Sequence, residues 1–425
     1  MSDSMEEKAT KELILPPSER SSEDVELPPE GGTKAWLTVF GGWLTVFATF
    51  GYVNAFGVYQ DLYTRSGAAS AERISWIGST QIFFLIGMGL PSGKLFDMGY
   101  FRSTMIVGSV LYVFSMFMLS LAHPDKYYQI FLSQGLGMGI GSGLLYVPAM
   151  SIQAHHWHKR RPMAMGIVIT GTSFGGVVYP IMLNQLIHGK TGFAWGVRAS
   201  AFLSMGLLFI AYFMMFPGPP KPKASIPSFK ILLTDAPYMF AIIGSFVAFL
   251  GFFFPYFYLQ LYAILKGVDS TLAFYTLAIM NTSSIFGRTL PNLLAERIGI
   301  FNTLVPITAI TGILVFAVFG ITEAAGTVVF AILYGFFSGS FLSLLPPLAA
   351  SLARDASEIG VRMGFAFFVA AFGCLVGGPI NGTILGPTFN WSKPIVFSGV
   401  TLLGGAGLIF IARIFQQKRT MSQRI

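Results

Sequence analysis

Thr271–Ala295 reads TLAFYTLAIMNTSSIFGRTLPNLLA, an apolar run whose single charge is Arg288. The nearest other charges, Glu296 and Arg297, stand just beyond it. At 1.5 Å rise per residue, the residues from Arg288 to Glu296 put the guanidinium on the order of 12 Å inside a bilayer core roughly 30 Å thick. A charge at that depth is costly and normally faces a protein interior or a water cavity, so Arg288 is a candidate functional residue. The competing reading is an arginine snorkelling to the near interface, a long reach for two helical turns.

The rest of the chain is of the same kind. Of its 425 residues 53% are hydrophobic and only 11% charged, against about 25% charged in soluble domains, which makes it a membrane protein. One cysteine, Cys374, excludes an intramolecular disulfide. The net charge of +8 would suggest nucleic acid in a soluble protein; here cytoplasmic loops account for it, and no nucleic-acid partner is expected. Residues 1–34 are polar, so no cleavable signal peptide is expected and the first apolar run serves as the insertion signal. Met1–Gly32 carries nine acidic and three basic residues without periodicity. It reads as a disordered cytosolic tail, either inertly solvating or phosphorylated at Ser18, Ser21 or Ser22.

Twelve apolar runs follow, at about 35–60, 74–95, 103–122, 128–152, 163–187, 198–217, 238–262, 271–295, 301–320, 326–350, 362–386 and 394–415. Their interior glycines and prolines are tolerated in membrane helices. A Pro/Lys-rich cytosolic linker, 218–237, divides them into a six-helix bundle at 35–217 and another at 238–415, with a cytosolic tail at 416–425. Of the 27 Lys and Arg, seven (Arg65, Arg73, Lys126, Lys190, Arg198, Lys266 and Lys393) fall on one side and the remainder on the side of the termini. The excess of positive charge marks that side as cytosolic, most simply at the plasma membrane.

The halves repeat each other. Gly141 and Pro148 match Gly339 and Pro346, and Met165, Gly166 and Gly175 match Met363, Gly364 and Gly373, all at an offset of 198; Asp97 matches Glu296 at 199. This pattern resembles the major facilitator superfamily. That resemblance implies an all-α membrane protein of 12 transmembrane helices in two six-helix pseudo-repeated bundles, with a substrate site near the midplane. Gly93-Lys94-Leu95-Phe96-Asp97-Met98-Gly99-Tyr100-Phe101-Arg102 resembles the superfamily signature between its second and third helices. Its implied job is a conformational gate: the acid caps and pairs with basic residues at the cytosolic helix ends. A degenerate copy, Asn292 to Gly299, carries Glu296 and Arg297. The gate residues are thus Asp97, Arg102, Glu296 and Arg297. A P-loop reading of Ser92-Gly93-Lys94 fails, since no glycine stands five before Gly93 and Leu95 occupies the Ser/Thr position.

Glu30-Gly31-Gly32-Thr33-Lys34-Ala35-Trp36 and His156-Trp157-His158-Lys159-Arg160-Arg161-Pro162-Met163-Ala164-Met165-Gly166 resemble the paired signatures of the monocarboxylate-porter family, especially its fungal branch. The resemblance covers about 30–415. It implies that Arg288 pairs with a substrate carboxylate, a role suited to bidentate, charge-assisted bonds. Where animal members of that family place an aspartate and a lysine, this chain has Ser284 and Asn54. No carboxylate lies deep in any run, so protons, a candidate coupling ion, lack a buried acid to carry them.

Asn54, Ser284, Asn281 and Tyr146 join Arg288 as candidate substrate-binding residues, with Gln81 and the aromatic cluster Phe252–Tyr258 as further lining; for the aromatics, packing competes with substrate contact. Histidines 155, 156 and 158 sit beside three basic residues without acids and are not expected to hold a metal. Gly171-Thr172-Ser173-Phe174-Gly175 fits a nucleophile elbow but lies inside a membrane helix rather than a strand-turn-helix. No catalytic residue and no cofactor is expected. The reading is a monomeric transporter that moves a small organic acid, monocarboxylate-like or larger and amphiphilic, by alternating access. Alternatives are an exporter of a fungal secondary metabolite or a substrate sensor on the same fold.

Overall fold

The computed structural model describes residues 30–67, 69, 71–218, 229–354, 358–386 and 389–422. Most of the expected tail, with its serines, and half of the expected linker, residues 219–228, lie outside the described residues. Regular structure among them is helical throughout. Twelve long helices follow in order: α1 (Thr33–Gln60), α2 (Arg73–Asp97), α3 (Phe101–Leu121), α4 (Tyr127–His155), α5 (Arg161–Ile187), α6 (Gly192–Met214), α7 (Ala236–Leu265), α8 (Ser270–Ile298), α9 (Ile300–Gly320), α10 (Ala324–Ser351), α11 (Ile359–Leu385) and α12 (Ser392–Thr420). The last helix runs five residues past its expected end. A short helix, Phe229–Thr234, occupies part of the expected linker and buries Leu232. We call the face where α1 starts and α12 ends the terminal face.

Eleven of the twelve are long and apolar enough to cross a membrane. α8 has the length, about 44 Å at 1.5 Å per residue, but not the apolarity. It is the helix that carries Arg288. Its polar residues Asn281, Ser284, Arg288 and Asn292 recur at helical spacing and are all buried, whereas Phe286, Leu290, Leu293 and Leu294 face outward. The polar stripe lies against α5 and α10, and the apolar stripe is left for lipid. Packing against its neighbours is what lets this helix span.

α1 and α7 open the two halves, and both are broken. α1 interrupts at Thr49 and again at Asn54–Ala55, and α7 at Phe253. Ala55 and Phe253 are 198 residues apart, the offset of the sequence repeat. Asn54 and Phe253, at the second α1 break and the α7 break, border one pocket between the halves, the arrangement expected where irregular backbone lines a cavity.

At the terminal face of the second half a charge cluster ties three elements together. Arg362, fully buried, donates through Nη1 to Asp235 Oδ2 and through Nε to Glu358 Oε2, each at 2.9 Å. Its guanidinium lies 5.0 Å from the Tyr238 ring centre, and the Tyr238 hydroxyl donates to the Arg362 carbonyl at 2.6 Å. Arg419 on α12 reaches the other Asp235 oxygen at 3.4 Å. The charge pattern places Arg362 on the side of the termini, and there it is a buried strut rather than a solvated cation. Removing one partner of such a cluster leaves uncompensated charge, at a cost of about 3–5 kcal/mol. Arg362→Met should therefore lower the thermal unfolding temperature markedly, whereas the exposed Arg297→Met should not, as scanning fluorimetry on the purified protein would record.

Candidate translocation site and its latch

At the terminal face the first half closes on the second through two helix caps. The Gly360 N–H donates to Asp97 Oδ1 at 3.0 Å and the Val361 N–H to Oδ2 at 2.7 Å. These are the second and third residues of α11, whose free N–H groups need acceptors. Asp97 ends α2, so the cap of one half's helix is supplied by the other half. The repeat does the same in reverse: Met163, third residue of α5, donates its N–H to Glu296 Oε1 at 3.3 Å. Proline at 162 lacks the N–H that Gly360 offers, so the second cap has one donor in place of two. Beside the first cap the helices touch: a Cβ on Gly93 would lie 2.1 Å from the Gly360 carbonyl.

The other two gate residues lie elsewhere. Arg102 donates to the Tyr212 carbonyl and stacks 4.7 Å over that ring, binding α3 to α6 inside the first half. Arg297 is exposed. The caps between the halves run through backbone amides rather than through these cations.

Deeper in, α5 and α8 meet along a polar seam. Arg288 Nη1 donates to the Ile169 carbonyl at 2.8 Å, Ser173 and Ser284 share a hydrogen bond at 2.7 Å, and Asn281 Nδ2 reaches the Gly176 carbonyl at 3.5 Å. Arg288 is 3% exposed, its Nε has no partner among the described residues, and Tyr146 and Tyr256 lie within reach of its field. Tyr146 also bridges the halves, with Phe50 and Phe367 rings at 5.8 and 5.7 Å. Asn292 holds the Arg288 carbonyl and Ser343, both at 2.8 Å.

Toward the opposite face the seam opens into a cavity of about 340 Å³, walled by α1, α5, α7 and α8. That volume falls within the range of small-molecule sites. Asn54, Asn184 and Gln260 supply amides; Val58, Val177, Pro180 and Phe274 supply apolar wall. Gly176 lets the two candidate asparagines converge, since a Cβ there would sit 3.0 Å from both Asn281 Oδ1 and Asn54 Nδ2. A smaller pocket of about 110 Å³ adjoins it, lined in part by Phe253, Tyr256 and Phe257 at the α7 break. Arg288 stands ten residues beyond Ala278 at the cavity wall, about 15 Å along α8. The structure thus brings Asn54 to the cavity, and Asn281, Ser284, Tyr146 and Arg288 to the closed seam beneath it. Gln81 is fully buried, neither of its amide atoms bonded among the described residues.

The two sequence signatures at the start of α1 and α5 prove to be one structural unit. Glu30 accepts the N–H groups of His158 (2.8 Å), Lys159 and Arg160 (3.3 Å), and Trp36 meets Trp157 edge-on at 5.1 Å. Burial raises the Glu30 pKa, but those amides and the neighbouring His158 outweigh it and hold the carboxyl below its usual range. The histidines disperse: His155 stacks on Phe96 at 5.1 Å, and His156 Nε2 bonds the Phe216 carbonyl at 2.6 Å. Sequence reasoning missed Asn184, considered Ser173 only as a nucleophile elbow and Tyr256 only within the aromatic cluster, because nothing in a hydropathy pattern tells which face of a helix meets the other half.

Two six-helix halves, capped onto each other at one face and parted by an amide-lined cavity toward the other, define a multi-pass membrane transporter of small molecules. The chain belongs to the Major Facilitator Superfamily, whose sequence pattern matches residues 35–378. It is 40% identical to the MFS-type transporter dbaD of Emericella nidulans, over 90% of this chain and 86% of that one. It is 39% identical to the aspyridones efflux protein apdF of the same organism, over 97% and 84%, and 38% identical to the agnestins efflux protein AgnL12 of Paecilomyces divaricatus, over 96% and 94%. Among solved structures the fold is similar to a bacterial homologue of the iron transporter ferroportin in an outward-facing state, with a TM-score of 0.70 at 14% identity over 89% of this chain and 99% of that one. It is also similar to the E. coli fucose:proton symporter FucP, at 0.67 and 14% over 88% and 98%.

The caps give the terminal-face closure a definite strength. Losing a cap acceptor costs about 1 kcal/mol, roughly a fivefold shift in a two-state equilibrium. Ser151, buried against Met363 of the other half at 3.7 Å, can report it. Asp97→Asn should speed maleimide labelling of a Ser151→Cys variant about fivefold, while Arg102→Gln should leave the rate within twofold.

Proposed function

We propose that this chain exports a bulky amphiphilic organic acid, a product of secondary metabolism, across the plasma membrane by alternating access. The observation that carries the reading is Arg288: a buried cation, tied to the other half by one carbonyl and holding an unused Nε donor. When the halves rock apart at the terminal face, taken as cytosolic from its excess of Lys and Arg, the Ile169 bond breaks and the guanidinium meets water. A carboxylate then binds it with charge-assisted bonds. Return to the state described here restores the Ile169 bond and displaces the acid toward the outer cavity, where Asn54 and the apolar wall around Phe274 receive its less polar remainder. The monocarboxylate-porter signatures support the acid. The efflux names of the relatives support a larger cargo and the outward direction.

The direct assay is efflux from transporter-deficient cells loaded with labelled carboxylates of increasing size, one neutral and one cationic compound, at two external pH values. An ionic hydrogen bond is worth about 1.5–3 kcal/mol, or about tenfold to a hundredfold in rate. Arg288→Ala should therefore cut acid efflux by at least tenfold, with Arg288→Lys intermediate. Transport of the neutral or cationic compound alone, or unchanged acid efflux in Arg288→Ala, would overturn the proposal. A pH effect on the wild type that survives in Arg288→Ala would place proton coupling elsewhere.

A further inference from the structure

The space between the halves is divided. Beside the cavity of about 340 Å³ lies the compartment of about 110 Å³ at the α7 break, and four residues line both: Asn54, Gly57, Gln260 and Leu277. They form the neck between the two. The compartments differ in kind. The larger offers the amides of Asn54, Asn184 and Gln260. The smaller is walled by five aromatic rings, Phe50, Phe56, Phe253, Tyr256 and Phe257. The Tyr256 hydroxyl is shared with Ser338 at 3.0 Å, and the Thr276 hydroxyl donates to the Ala273 carbonyl at 2.7 Å. Beyond the neck and Gln60, one turn past Gly57, the smaller compartment therefore presents ring faces rather than hydrogen-bonding groups. Among the described residues lining either compartment none is charged.

Gly57 sets the width of the neck. It lies in the last helical piece of α1 and is exposed, and a Cβ there would meet no atom within 4 Å. A glycine inside a helix weakens it relative to alanine, and no contact in this packing requires one. What it supplies is room for a ligand to pass from one compartment to the other. An apolar cavity of about 150 Å³ takes up a benzene, so the compartment of about 110 Å³ holds one six-membered ring and excludes a fused pair. Ring-on-ring contacts in offset or edge-on geometry each contribute about twofold to tenfold in affinity beyond burial. Building on the export of an acid proposed above, we propose that the cargo carries a single planar aromatic ring, seated in the compartment at the α7 break. An uncharged, hydrogen-bonding portion runs from that ring through the neck at Gly57 to the amides of the larger cavity. With no charge on either wall, the charge of the cargo is left to Arg288.

The test reads binding to the purified full-length protein and does not depend on transport. Labelled N-octanoyl-phenylalanine and N-octanoyl-alanine, each as the free acid and as the neutral primary amide, are compared by equilibrium dialysis. The ring-bearing member of each pair should bind at least about fivefold tighter than the ringless one, as one or two ring contacts supply. Gly57→Leu, which fills the neck, should cut that ratio below about twofold on monodisperse protein. Phe257→Ala, which widens the compartment, should move the preference to N-octanoyl-tryptophan. Equal binding of ring-bearing and ringless members to the wild type, or a ring preference that neither variant moves, would overturn the proposal. A ring preference with acids and amides bound alike would uphold the compartment while removing the carboxylate role of Arg288. Acids bound tighter with no ring preference would do the reverse.

Discussion

A guanidinium cannot face hydrocarbon, and α8 carries one about 15 Å from its terminal-face end. Much of the interface between the halves follows from hiding it. The helix is the polar exception among twelve, so its Asn281–Ser284–Arg288–Asn292 stripe must be covered along its length, and α5 and α10 cover it. Yet the cover on the α5 side is not permanent in kind. It consists of one carbonyl, one hydroxyl pair and a long amide contact, each of which water or a ligand can replace. The α10 side, where Asn292 grips Ser343 at 2.8 Å, lies within one half. The charge is thus fixed in the second half and borrowed against the first.

The terminal-face caps complement that seam. A helix with free N–H groups at its start needs acceptors, and here α5 and α11 take theirs from the opposite half. Parting the halves therefore uncaps two helices at the moment that it uncovers Arg288. Water can satisfy the exposed amides at the face, so the penalty is modest and the two states remain close in free energy. Gly93 against Gly360 allows the approach; the acids set its strength.

Much of the fold was legible in the sequence because bilayer crossing is a one-dimensional constraint: length and apolarity mark a span. The offset of 198 recovered the repeat, an offset of 199 paired the acids at 97 and 296, and 198 reappears in the α1 and α7 breaks. What hydropathy could not supply was azimuth. Arg362 counted only as one more cation on the side of the termini, and only the fold brings Asp235, Glu358 and Tyr238 around it. Arg102 read as part of a gate because it belongs to the signature; its ring partner, Tyr212, lies over a hundred residues away in the same half. Asn54 and Asn281 were identifiable as polar residues in apolar runs, but their convergence over Gly176 required three helices in place.

The central claim is that the α5–α8 seam opens at the terminal face to uncover Arg288. Spin labels at Arg160→Cys and Arg297→Cys, both exposed positions flanking that seam, would report it by pulsed dipolar spectroscopy in vesicles. The account predicts two distance populations, the longer growing when the transported acid is added. A single narrow distance, unmoved by substrate in protein that still transports, would contradict it.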